Sequence, residues 1–113
     1  MPSEINSDQL LASMATAAAG ALQKRWPMAR DYAEMEFRKF LIQAEHIKKL
    51  KSEDRINEDE AKLLMDLQRN AMRSVLLSLE GVGILAVEAA INAALDVIRG
   101  AVNKAIGDGW KIL

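Results

Sequence analysis

Apolar positions at Leu64, Ala71, Val75, Leu79, Val82, Ala86, Ala90, Ala93 and Val97 follow one another, after a first step of seven, at intervals of three or four residues. That spacing marks one face of a helix, and Gly81 and Gly83 do not shift its phase. A polar series accompanies it with an eleven-residue recurrence: Asp59, Asn70, Gly81, Asn92 and Asn103, beside Asp66, Leu77, Glu88 and Arg99. An eleven-residue period belongs to long, nearly straight helices. The pattern therefore predicts one helix over about residues 58–106, bent or loosened near Gly81 to Gly83. Such a helix has about 49 residues and is about 73 Å long at ~1.5 Å per residue. The alternative is a chain turn at the glycines, giving an up-down-up-down four-helix bundle in which an Ala-rich first helix meets Ala86, Ala89, Ala90, Ala93 and Ala94.

Upstream, Ser7 reads as an N-cap, and Leu10, Leu11, Met14, Ala17, Ala18, Ala21 and Leu22 follow at helical spacing. The residue before a proline is biased away from the α region, so Trp26-Pro27 predicts an end near Arg25. A second helix is expected over about 28–51, with Pro27 in its first turn and Ala33, Phe37, Phe40, Leu41, Ala44 and Ile47 as its inner stripe. A charged connector follows, and Asn57 and Glu60 then have the spacing of a capping box. Glu58 and Asp59 suit the positive end of the helix dipole, and Ile56 can staple onto Ala61. Gly107, Asp108 and Gly109 end the last helix before a short apolar tail of Trp110, Ile112 and Leu113.

Composition agrees with an all-α class. Half of the 113 residues are hydrophobic and only 4% are aromatic, so the core is built from aliphatic residues and methionine. Two prolines, six glycines and 27% charged residues argue against disorder and against a turn-rich β fold. The expectation is a single helical domain over residues 1–113. A formal net charge of −1 supplies no field for nucleic acid or for an anionic membrane. The absence of cysteine excludes disulfides and thiolate metal sites and fits a cytoplasmic location. The uncharged stretch from Gln9 to Gln23 is short for a membrane span of about 20 residues. It also follows Glu4 and Asp8, where an export signal carries positive charge.

Five residues are candidates for a carboxylate metal centre of the ferritin-like kind: Glu36, Glu45, His46, Glu80 and Glu88. Such bundles use Glu-x-x-His pairs, because that spacing places both ligands on one face. No such pair occurs, and Glu45 and His46 are adjacent, pointing about 100° apart. Glu88 reads instead as part of a solvated stripe with Asn92, Asp96, Arg99 and Asn103. Glu80, on the same face as Arg73 and Arg69, reads as an interhelical ion-pair partner. Lys48, Lys49, Lys51 and Arg55 read as a solvated helix terminus, where cations meet the negative dipole end. Gly81-Val82-Gly83 lacks the lysine and the strand of a phosphate loop, and the single histidine has no nucleophile beside it.

Between Val75 and Ile106, charges at Glu80, Glu88, Asp96 and Arg99 exclude a spanning segment. The polar stripe there is mainly acidic and amide, unlike that of a membrane-surface helix. The second helix, half the length of the third, cannot cover it, so the apolar stripe predicts a homo-oligomer meeting through Val82, Ala86, Ala90, Ala93 and Val97. The functional expectation is a non-enzymatic, self-associating helical interaction or structural module, with no cofactor and with a protein partner as the other user of its surface. The carboxylate metal bundle is the alternative, and a membrane-surface helical protein the second.

Overall fold

In the computed structural model, which describes residues 5–113, the chain forms four α-helices: α1 (Ser7–Leu22), α2 (Trp26–Ser52), α3 (Glu58–Leu77) and α4 (Ile84–Ile106). Residues 1–4, with Glu4 of the acidic leader, lie outside the described part. The helices pack in a ring, α1 on α2, α2 on α3, α3 on α4 and α4 on α1, with a lesser diagonal contact between α2 and α4. Ser7 Oγ reaches Glu45 near the end of α2, and Arg69 and Arg73 of α3 meet Asn92 and Glu88 of α4 in reverse order, so sequential helices run antiparallel. The topology is the up-down-up-down bundle.

The single helix over 58–106 is therefore corrected to a hairpin. The long axis of the molecule is 44 Å, shorter than that helix would be. Residues 78–83 turn the chain, with Gly81 at φ 80° and the Val82 N–H donating to Leu79 O at 3.3 Å. The buried residues show why the stripe misled. On α3 they are Ala61, Met65, Met72 and Leu76, and on α4 they run from Val87 through Ala90, Ile91, Ala94 and Ile98. Both sets lie one residue away from most of the spacing read along the sequence, which instead follows the edges of the two helices. Between buried Val82 and buried Val87 the true stripe takes a step of five, about 140° out of phase. An Ala-rich helix offers an apolar residue in every phase, so its spacing does not report a turn.

Folding back buries α4 against α1, the most extensive helix pair of the bundle. Small residues on both partners, Ala18 and Ala90 and Ala94 among them, let the helices approach closely. The core is completed by Met14, Phe37, Phe40, Leu41, Ile47 and Met72, all but fully buried. The inner stripe expected for α2 is buried throughout.

Two end signals resolve differently from expectation. Asn6, rather than Ser7, caps α1: its Oδ1 accepts from the Gln9 N–H at 3.2 Å. Trp26 is helical (φ −56°, ψ −47°) despite preceding Pro27, because the turn is made upstream, by the short 3₁₀ segment Gln23–Arg25 and by Gln23 at φ 50°. Pro27 sits in the first turn of α2, where no N–H is missed. The capping box of α3 is present in full: Glu60 N–H to Asn57 Oδ1 at 2.8 Å, and Asn57 N–H to Glu60 Oε1 at 3.0 Å.

Candidate functional site

The five metal candidates are not brought together. Glu36, nearly fully buried at mid-α2, pairs with Lys39 at 3.1 Å. Glu45 accepts from Ser7 Oγ at 3.3 Å, His46 is exposed beside it, and Glu80 is exposed in the α3–α4 turn at the far end of the bundle. Glu88 is held by Arg73. Among the described residues no three histidine or acidic side chains are grouped to hold a metal ion.

Of the stripe read as solvated, Asp96 and Arg99 are exposed and pair with each other at 2.6 Å, whereas Glu88 and Asn92 lie along the seam between α3 and α4. Glu88 accepts from Arg73 Nε and, at 3.4 Å, from Arg73 Nη2. Asn92 accepts from Arg69 Nη2 at 2.6 Å. The Arg73 hydrogen bond holds the Glu88 carboxyl below its ordinary value against the cost of its desolvation, and the same bond raises Arg73. The interhelical ion pair expected at Glu80 is thus formed by Glu88, because the hairpin carries α4, and not the turn, alongside Arg73.

Two of the five residues expected at an oligomer face lie inside the chain. Ala90 is fully buried and Val82 nearly so, which removes both as contact residues. Ala86 and Ala93 are half-buried, and Val97 lies open in a shallow groove with Ala12, Ser13 and Thr16 of α1. The reason is the hairpin, which lays α4 against α1.

Large apolar side chains remain exposed elsewhere. On α2, Met28, Tyr32, Met35 and Ile42 recur at helical spacing and are 42–61% exposed, as are Leu63 and Leu67 of the neighbouring α3. Leu85 is 87% exposed at the start of α4, beside exposed Ile84. Single exposed apolar residues are ordinary, whereas a row along one helix face is not. The row lies on the other side of α2 from its buried stripe.

A second unanticipated feature is the hold on residues 107–113. Lys51 Nζ donates to Ile106 O and to Asp108 Oδ2, both at 2.7 Å, and lies 5.0 Å from the Trp110 ring centre. Glu58 Oε2 accepts the Lys111 N–H at 3.1 Å. Asn103 Oδ1 accepts the N–H groups of Ile112 and Leu113 at 3.1 and 3.2 Å, and its Nδ2 reaches Leu113 O at 3.5 Å. Ile112 is buried beneath these bonds. The Lys111 N–H lowers the Glu58 pKa, and the Lys51 ammonium lowers that of Asp108. Lys51, read as part of a solvated terminus, is instead mostly covered. Under the tail a cavity of about 60 Å³ is lined by Phe40, Met65, Asp66, Arg69, Leu95 and Arg99, with Ile112 and Leu113 closing it. Arg69 Nε is buried there without a hydrogen-bond partner among the described residues.

No protein-family profile, curated protein or solved structure matches this chain. Among the described residues no helix is long and apolar enough to cross a membrane.

Proposed function

We propose that this protein is a non-enzymatic, self-associating helical module, and that the outer face of α2 and α3 is where two copies meet. The observation that carries the reading is the row of Met28, Tyr32, Met35 and Ile42, flanked by Leu63 and Leu67. These six side chains offer several hundred Å² of apolar surface, a large part of the roughly 800 Å² per partner of a standard interface. Methionine and tyrosine suit such a face, the first adaptable and the second amphipathic.

Charge suits a second copy as the occupant. Along the α2 row Arg30, Arg38 and Lys39 alternate with Asp31, Glu34 and Glu36, and on α3 Lys62 stands among Glu58, Asp59 and Glu60 before Leu63. A twofold axis makes each contact twice, so two such mixed-charge faces can set opposite charges against each other in both places.

The test is a pair of substitutions read by sedimentation. Ile42→Lys or Leu67→Lys should reduce association at least about tenfold, since each places a desolvated charge at the contact. Val97→Lys, on the opposite side, should leave association unchanged. Equal effects of all three, or loss only with Val97→Lys, would reject the α2–α3 face.

A further inference from the structure

We infer that the groove beneath the tail also receives residues 110–113 of a second copy, so that two chains can exchange their tails. Two observations carry this. First, the groove recognises an extended segment chiefly through its backbone: Asn103 and Glu58 accept three successive N–H groups, of Lys111, Ile112 and Leu113. Ile112 enters the apolar part. Backbone bonds plus one apolar anchor constitute a peptide-docking mode in which the same segment from another chain satisfies the contacts of residues 111–113.

Second, the tail is attached through a hinge. Gly107, Asp108 and Gly109 are consecutive left-handed residues at φ 83°, 54° and 72°, and together they reverse the chain after α4. Asp108 is the one non-glycine among them, and aspartate is one of the few side-chain-bearing residues that adopt this conformation readily. Extending these residues gives up the Lys51–Asp108 bond and the Trp110 N–H bond to Gly107 O, and directs the tail away from its own groove. Seven extended residues reach about 24 Å, enough to enter a neighbouring copy. Outside the hinge the closed and exchanged forms share their contacts, the condition under which swapping costs little. The Lys51 bond to Ile106 O precedes the hinge and is retained in both.

The chain has no cysteine, so introduced thiols report the exchange directly. Asp66 and Leu113 line the same cavity, and the double variant Asp66→Cys/Leu113→Cys should close an intramolecular disulfide on mild oxidation. Failure to close it would overturn the geometry on which the proposal stands. Chains carrying Asp66→Cys alone and Leu113→Cys alone are then mixed at high concentration, and also unfolded and refolded together. A disulfide-linked heterodimer should form about tenfold more than with Ser13→Cys in place of Asp66→Cys, because a specific site raises the local concentration of one thiol at the other. Yields equal to that control would overturn the exchange. Placing Ile42→Lys in both chains separates this interaction from the α2–α3 contact: the heterodimer should persist. As a second measurement, deletion of Asp108 and Gly109 removes the reversal, so the tail cannot reach its own groove. That chain should sediment as a dimer in the Ile42→Lys background, and a monomer would count against the proposal.

Discussion

Replacing Gly81 by alanine tests the turn that separates this bundle from a long helix, because the same substitution has opposite signs in the two architectures. At φ 80° an alanine Cβ is crowded against its own backbone, a cost of about 1–2 kcal/mol. The added methyl would also stand 2.9 Å from the Arg25 guanidinium, but that is the end of a flexible side chain and can move aside cheaply. Alanine restricts the unfolded chain more than glycine does, which returns about 0.4–1 kcal/mol. The net expectation is a loss of about 1 kcal/mol, or roughly 4 °C in Tm for a domain of this size. Gly20→Ala is the internal control: Gly20 lies in α1 with open space around it, and the substitution should stabilise by up to about 1 kcal/mol. Thermal and urea unfolding of the two variants side by side give the comparison. If Gly81→Ala raised stability as Gly20→Ala does, Gly81 would lie within a helix and the hairpin would be wrong.

Asn57→Ala should cost about 1 kcal/mol in urea unfolding by removing the capping box, within the usual 0.5–2 range. Gly83 caps α4 without a side-chain acceptor, and the first turn carries no acidic residue, so Gly83→Asp should stabilise by about 0.5 kcal/mol in the same assay. Because the folded-state pKa of Glu88 is depressed, its contribution is complete above the ordinary value of 4.5 and is lost as pH falls through the lower folded value. Glu88→Gln should therefore narrow the Tm difference between pH 7 and pH 3.5, and an unchanged difference would refute the role given to Arg73. Asn103→Ala should abolish slow hydrogen exchange at the amides of Ile112 and Leu113, leaving the amides of central α2 protected.

Local signals read from the sequence were faithful where one residue type has one physical use. Asn57 with Glu60, the inner stripe of α2 and the break at Gly107 all stand as expected. Gly81 was ambiguous, since glycine serves both bent helices and turns, and the alanine-rich α4 supplied an apolar residue in whichever phase was tried. The polar residues of α4 were legible as a stripe, but their partners were not. Whether Glu88 and Asn92 meet water or Arg73 and Arg69 depends on the hairpin register. The tail contacts joining Lys51, Glu58 and Asn103 to residues 106–113 bring together three elements distant in sequence, and no spacing announces them. The exposed row on α2 was present in the sequence and becomes distinctive only when its opposite face is seen buried.

Self-association is the central claim, and sedimentation equilibrium of the unmodified full chain from about 1 to 100 µM tests it most directly, a range that brackets a modest dimer of −6 to −8 kcal/mol. The account predicts an apparent mass that rises with concentration from 12.5 kDa towards twice that value. A mass that stays at 12.5 kDa throughout would contradict it.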